Sequence, residues 1–473
     1  MFWCCCLATR AQAQCAGQAG TPQAASDCAA QFQGSNALMP LDPAHSYSLA
    51  ELIDLAEHNN PKTRVSWERA KQSADRLGIE RSAYFPVLSG IAAVANGRII
   101  EPFPKGLGAP KGYTLITATQ IQPELSLDYL IFDFGRRAAR VDQATAEKLA
   151  AGAGFIRTNQ EVAYGVASAY YKLITAQERL RAAEDTLATA RTTQEAAEAQ
   201  LSNGRATLPD VLNARADTSQ AVFDRESADG DARIARVQLT EAVGVEPSPN
   251  VTIEAPQDSL LPQTLTLSID ALIDRAMADR PDLLAQMAEI RAADDAVRAA
   301  RAEYKPTVGF TGDVAQTFLW PSAFPPGSLG FAGQPTWSMG LALQWKILDG
   351  GARAREVDAA ESKKREAQDE LTDKRDQATR EVWSSYILFG TAVRKEQAAV
   401  ALLEAANTSY SASLDAYRYG VKNLVDVVTA QRQLAQARLS GVSARSELFL
   451  EAVNLEFVTG NLLRNQPPAT AHP

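Results

Sequence analysis

The sequence predicts an α+β membrane protein made from a duplicated unit of short helices, two β-strands and one long coiled-coil hairpin. Three observations predict it. The chain repeats itself at a fixed spacing, its longest apolar pattern has a period of seven, and a second pattern has a period of two.

The repeat organises everything else. A shift of 216 places Asp133 on Asp349, Gly135 on Gly351, Arg137 on Arg353, Tyr170 on Tyr386, Gly204 on Gly420, Asp210 on Asp426 and Gly244 on Gly460, without a gap. The segment before it is duplicated at a shift of 220, which pairs Leu52 with Leu272, Ala56 with Ala276, Pro61 with Pro281, Tyr84 with Tyr304 and Pro86 with Pro306. Two repeats result, residues 48–246 and 267–462, with a proline-rich linker at 247–266 (Pro247, Pro249, Pro256, Pro262) and a polar tail at 463–473.

In chain order, residues 1–13 carry a short apolar run and an Ala11-x-Ala13 pattern that reads as a signal segment whose start lies upstream. Residues 14–47 are rich in Gly, Ala, Gln, Ser and Pro and read as a flexible arm. Cys15 and Cys28 could bridge in an oxidising compartment, or Cys15 could be free or acylated. Leu49, Leu52, Ile53 and Ala56 share one helical face; that helix breaks before Pro61, and a second runs to about Tyr84.

Next comes alternation. Ile121, Leu125, Leu127, Tyr129 and Ile131 alternate with Gln120, Gln122, Glu124, Ser126, Asp128 and Leu130. In the second half Trp337, Met339, Leu341, Leu343, Trp345 and Ile347 alternate with smaller or more polar residues, and Val308, Phe310 and Val314 do so on the strand before. The counterpart from Val87 to Asn96 is weaker, and Gly/Pro-rich loops at 97–112 and 319–335 join each pair. Four strands, apolar on one face and polar on the other, match a transmembrane β-barrel wall, with Tyr129, Trp337, Leu341 and Trp345 as lipid-facing candidates. Four strands cannot close a barrel, and an open edge is not tolerated in lipid, so the barrel requires an oligomer.

The long helix from Arg136 to Ser202 is about 100 Å at 1.5 Å per residue, and its scattered charges exclude a membrane span. Val166, Leu173, Leu180, Leu187 and Leu201 recur at multiples of seven, with Ala169, Ala176, Ala183, Ala190 and Ala197 three residues behind the seam positions. The second copy has Val382, Phe389, Leu403, Tyr410 and Tyr417 with Ser385, Ala392, Ala399, Ala406 and Ser413. A large/small seam of period seven is a coiled-coil seam. Gly204 and Gly420 end the long helices, and Thr207-x-x-Asp210 and Asn423-x-x-Asp426 read as N-caps of the returning ones.

Composition narrows the function. A net charge of −9 gives no basic patch for nucleic acid, and the three histidines, His45, His58 and His472, lie far apart in the sequence. No Ser-His-Asp, Cys-His, phosphate-loop or dinucleotide pattern is present, so neither an enzyme nor a cofactor is expected.

The joints Phe132-Asp133-Phe134-Gly135-Arg136-Arg137 and Leu348-Asp349-Gly350-Gly351-Ala352-Arg353, each followed by an Ala-rich helix and the tips at Gly204 and Gly420, resemble the TolC family of outer-membrane efflux proteins over about residues 48–462. The resemblance implies a homotrimer with a twelve-stranded barrel in the outer membrane and an α-helical tunnel in the periplasm. It also implies a periplasmic adaptor (membrane fusion) protein and an inner-membrane pump as partners, and drugs, other small toxins or proteins as cargo. In the family the second-half tip carries acidic residues, a tyrosine and a basic residue that close the pore. Here the matching positions are Asp426, Tyr417 and Lys422, with Thr429 where a second acid would stand, so a single carboxylate ring is expected. Gly204, Arg205, Asp210, Gly420 and Val421 become adaptor-docking candidates on the same ground. Asp426 also fits an N3 capping role and Tyr417 continues the seam, so structural roles stand beside gating ones. A periplasmic coiled-coil scaffold without a channel is the alternative.

Overall fold

The computed structural model describes residues 41–42, 44–102, 105, 110–254, 268–321, 331–332 and 335–462. The expected signal segment, nearly all of the arm with Cys15 and Cys28, most of the linker and the tail lie outside these residues. The chain divides into two compact units: Ser73–Glu147 with Glu289–Gln368, and the remainder.

In the first half β1 (Ser46–Tyr47), α1 (Leu49–Asn59), α2 (Pro61–Ser82), β2 (Val87–Pro102), β3 (Tyr113–Phe132), α3 (Arg136–Ser202) and α4 (Leu208–Val243) follow one another. After β4 (Thr252–Ile253) the second half repeats the pattern as α5 (Ile269–Asp279), α6 (Pro281–Ala302), β5 (Thr307–Ala315), β6 (Phe318–Pro321), β7 (Phe331–Ala332), β8 (Thr336–Gln344), α7 (Ala352–Arg418) and α8 (Leu424–Val458). Both long helices have 67 residues. No described helix is long and apolar enough to cross a membrane.

The helical unit is held by the seam that the heptads specify. Val166, Leu173, Ala190 and Ala197 are buried, as are Val382, Phe389, Tyr410 and Tyr417 with Ser385, Ala392, Ala399, Ala406 and Ser413. Leu180, Leu187, Leu201 and Leu403 are half-buried. The short helices are placed by two equivalent joints. At the first, Asn60 Nδ2 donates to Ala242 O at 2.9 Å. At the second, Arg280 takes the same place and donates from Nη1 to Val458 O at 3.4 Å. Gly244 and Gly460 close these joints with φ of 84° and 78°. Only a residue without a Cβ sits easily in that conformation.

The other unit contains a sheet in which β2, β3, β5 and β8 pair antiparallel in that order. β6 extends from β3 and carries β7. The register sorts the side chains. Leu88, Leu127, Gly312 and Met339 are direct neighbours in one row, and Gly90, Leu125, Val314 and Trp337 in the next but one. Between them runs Ser89, Ser126, Asp313 and Ser338, where the Ser338 hydroxyl donates to the Asp313 carboxylate. Opposed residues share a face, so one face is apolar across all four strands and the other is largely polar on β3, β5 and β8. Among the described residues the outer edges of β2 and β8 have no partner strand.

Three expectations need correction. β2 runs on to Pro102, into the loop expected at 97–112, because it pairs with β3 along its whole length. The loop expected at 319–335 contains β6 and β7. Trp345 and Ile347 lie beyond β8, whose end is fixed where Gln344 meets Thr307, because the preceding Pro306 has no N–H to extend the ladder. The exposed Trp345 ring instead donates from Nε1 to Tyr304 O at 3.1 Å.

Each strand enters its long helix through the same pin. Asp133 Oδ2 accepts from Arg137 N at 2.8 Å and from Arg137 Nε at 3.1 Å. The Arg137 guanidinium also donates to Ala83 O and Ile131 O, both at 3.1 Å, and lies over the Tyr84 ring. Asp349, Arg353, Ile347 and Tyr304 repeat the arrangement. At the first joint the pin ties Ile131, near the end of β3, and Ala83, just past α2, to the first turn of the long helix.

Candidate functional site

The hairpin tips place the largest number of candidate residues together, and each tip is built from its own turn. At the first, Gly204 N donates to Leu201 O at 2.9 Å and Arg205 N to Gln200 O at 2.8 Å, with Gly204 at φ 69°. At the second, Gly420 N donates to Tyr417 O at 2.9 Å and Val421 N to Ala416 O at 2.8 Å, with Gly420 at φ 78°. This paired bonding ends a helix by satisfying its last carbonyls. Arg205 and Val421 are exposed on the turns.

The two returning helices begin differently. Asp210 Oδ2 accepts from Thr207 N at 2.9 Å and from Thr207 Oγ1 at 2.7 Å. Those two bonds hold the Asp210 carboxyl below the usual carboxylate range. At Asn423 the direction reverses: Asp426 N donates to Asn423 Oδ1 at 3.0 Å. The Asp426 side chain is exposed and its carboxylate has no hydrogen-bond partner among the described residues. Equivalent positions in the repeat therefore do different things. Asp210 caps with its carboxylate; Asp426 is capped through its backbone and keeps its charge available.

Thr429 is exposed one turn further along α8, and its hydroxyl donates to Val425 O at 2.7 Å. Tyr417 does not join them. It is buried against Val211, Leu414, Leu424 and Val427, and its hydroxyl has no partner among the described residues. Burial, and then the charge of Asp210, push that phenol upward. Lys422 Nζ turns back to Ser413 Oγ at 3.3 Å. Within one chain, then, Asp426 and Thr429 share an exposed face, while Tyr417 and Lys422 hold the α7 end.

Several tip residues are not legible from the sequence pattern. Thr193 Oγ1 donates to Gln431 Oε1 at 2.7 Å and lies 3.2 Å from Tyr410 Oη. Gln200 Nε2 donates to Arg418 O at 2.9 Å, which ties the end of α3 to the end of α7. Buried polar side chains that bond across two hairpins fix their relative register. The only sequence signal is a polar residue among seam neighbours. Leu208, Leu212, Tyr419 and Val425 form a second unforeseen feature, joining the expected Val421 as large apolar side chains exposed around both turns. Among the described residues no group of three His, Cys, Asp or Glu side chains could hold a metal.

The chain matches a family model described as "Outer membrane efflux protein" over residues 52–245 and again over 272–461. It is 27% identical to Protein CyaE of Bordetella pertussis over 90% of this chain and 86% of that one. It is 23% identical to the outer membrane efflux protein BepC of Brucella suis, covering 89% and 87%. Among solved structures, the outer membrane protein VceC of Vibrio cholerae superposes with a TM-score of 0.73 at 22% identity, covering 87% of this chain and 96% of that one.

Proposed function

The chain belongs to the outer membrane efflux protein family, whose members are channel components, and from that premise we propose that three copies close into one export duct. The protein is an outer-membrane channel component of efflux or secretion systems, with its helical part in the periplasm. One observation carries the closure: β2, β3, β5 and β8 share one apolar face, and the outer edges of β2 and β8 have no partner strand among the described residues. Such a sheet is stable in lipid only when every edge is paired, and copies of the same chain supply the missing partners. Tyr129, Trp337 and Leu341 then meet lipid, as does Trp345 at the margin, while Glu124, Ser126, Asp128 and Asp313 line water.

At the tips Asp426 supplies one carboxylate per copy to a ring at the constriction. Thr429 lines the same level without charge, and Tyr417 and Lys422 set where the ring stands. Gly204, Arg205, Asp210, Gly420 and Val421, with the apolar side chains around them, form the surface that meets a periplasmic adaptor, itself coupled to an inner-membrane pump. The duct is passive, and cargo choice between small toxic compounds and proteins rests with those partners.

Planar bilayers test this reading. Purified protein should conduct ions, and divalent cations added on the tip side should block it. Asp426→Asn should relieve that block several-fold without changing thermal melting, whereas Asp210→Ala should lower the melting temperature and leave block intact. No conductance overturns the duct. Unaltered block in Asp426→Asn overturns the ring.

A further inference from the structure

The apolar face of the β2–β3 hairpin changes chemistry once along its length and then changes back. Nearest the helices Leu88 faces Leu127, Gly90 faces Leu125, Ala92 faces Pro123 and Val94 faces Ile121. The next two rows on the same face are Asn96 opposite Thr119 and Arg98 opposite Thr117. Ile100 opposite Leu115 and Pro102 opposite Tyr113 then return to apolar side chains, with Ile100 64% and Leu115 52% exposed. A polar step with apolar rows on both sides is not the ordinary fading of a strand into a loop.

The step falls at a defined depth. β2 follows α2 and β3 leads into α3, so Pro102 and Tyr113 are the strand ends remote from the helices. With the helical part in the periplasm, those ends face the cell exterior. Tyr129 and Thr119 are ten residues apart on β3, about 34 Å of strand at ~3.4 Å per residue. Tilted by about 35–45°, that run covers about 24–28 Å, the height of a barrel's apolar band. Asn96 and Thr119 therefore stand at its outer margin. Arg98 and Thr117 lie about 5 Å further out, at the level of the outer-leaflet headgroups.

The side chains of the step are set to give hydrogen bonds outward. Arg98 donates from Nε to Thr117 Oγ1 at 3.1 Å, and Asn96 donates from Nδ2 to Thr119 Oγ1 at 2.8 Å. Each threonine oxygen accepts one bond and keeps its own O–H to give. Arg98 is exposed, and its two terminal nitrogens have no partner among the described residues. With Nε fixed, that edge of the guanidinium is a fork that can take a phosphate by two parallel bonds. Charge points the same way. Residues 97–112 carry Arg98, Lys105 and Lys111 against Glu101, and residues 319–335 carry no charge, in a chain of net charge −9. The outer end is cationic where the chain as a whole is anionic.

Building on the lipid-facing role proposed above for this face, we propose that Arg98, Thr117 and Thr119 bind the phosphate of an outer-leaflet glycolipid. Its acyl chains lie on the apolar rows below. The phosphate takes the Arg98 fork and the threonine hydroxyls, while Asn96 Oδ1 accepts from a sugar hydroxyl. Ile100, Leu115 and Tyr113 cover the C–H faces of the sugars. A phospholipid would fill the apolar rows and the fork but leave those upper rows wet.

Native mass spectrometry of the full-length protein in detergent, titrated with lipid A, reads the binding. Bisphosphorylated lipid A should be retained, and lipid A stripped of its phosphates should bind about tenfold more weakly. Arg98→Gln should cost a similar factor, Thr117→Val several-fold, and Arg98→Lys should recover only part of the loss. Lys105→Gln with Lys111→Gln, off the step, should cost less than about twofold. Undiminished binding by Arg98→Gln overturns the site, and so does an equal loss in the lysine pair, which would mean diffuse charge alone. Phosphatidylglycerol held as tightly as lipid A overturns the glycolipid, and displacement by inorganic phosphate at matched ionic strength overturns the lipid. Conductance of the parent in planar bilayers separates this site from the duct. A parent that conducts yet ignores lipid A loses only the lipid site; one that holds lipid A without conducting keeps the site and loses the duct.

Discussion

Replacing Gly244 by alanine is expected to destabilise the helical unit by roughly 2–5 kcal/mol, the sum of left-handed strain and forced overpacking. Gly244 has φ 84°, and an added Cβ would stand 2.6 Å from Asn60 Cα and 2.9 Å from Asn60 N. Both are backbone atoms, so no side-chain rotation can relieve the clash. The joint would have to open, and with it the bond from Asn60 to Ala242 O. Other glycines grade the effect. Gly460→Ala meets Asp279 backbone atoms at 3.1 Å and should cost less. Gly204→Ala, at φ 69° in open space, should cost only the backbone strain of about 1–2 kcal/mol. Gly441→Ala, helical and unobstructed, should be neutral or stabilising. Melting followed by far-ultraviolet circular dichroism in detergent orders these variants. Gly244→Ala melting together with Gly204→Ala would show that the close approach does not matter.

Arg280→Ala should cost about 3–5 kcal/mol, because it strands two carboxylates at a buried joint. The Arg280 side chain is 2% exposed. It donates from Nε to Asp282 Oδ1 at 3.1 Å and from Nη2 to Asp282 Oδ2 at 2.7 Å, while Nη1 reaches Glu381 Oε2 at 2.6 Å. Burial pushes the Asp282 carboxyl upward, but the Arg280 hydrogen bonds and charge outweigh it and hold the group below its ordinary value. A depressed carboxyl stabilises the fold above its unfolded pKa, near 3.9, and loses that contribution as pH falls through the folded value. Removing Arg280 takes away the largest opposing contributions and leaves only the Arg157 charge and the Leu283 N–H against burial, so the carboxyl rises and the variant's deficit relative to the parent grows as pH increases. Melting temperatures at pH 5 and pH 7.5 should therefore diverge most at the higher pH. A loss independent of pH would assign Arg280 a packing role alone. Adding Asp282→Ala and Glu381→Ala should recover much of the stability.

The helical hairpins were legible because their signal is long and local. A heptad repeated from Val166 to Leu201 and again from Val382 to Tyr417, with small residues held three positions away, has few other ways to pack. The strand order was less so, since pairing between β3 and β5 is set by the two halves meeting and not by either alternation. Trp345 shows the limit well: its alternation with Leu343 and Leu341 is real, but a strand needs a neighbour, and among the described residues residue 345 pairs with none. At the tips the turns and caps could be read from Gly204, Gly420, Thr207 and Asn423. The divergence of Asp210 from Asp426 could not, because it depends on which partner donates. Arg280 was missed for a related reason. Its counterpart is Asn60, so the repeat hides a buried arginine behind a small amide that makes the same carbonyl bond.

The lipid and water faces of β3 offer the most direct measurement. With the five native cysteines replaced, single cysteines at Leu125, Ser126, Leu127 and Asp128 can be exposed to a water-soluble maleimide in intact outer membranes. The closed duct predicts labelling at 126 and 128 and protection at 125 and 127, a period of two along one strand. Equal labelling at all four positions would contradict it, since both faces of the sheet would then be wet.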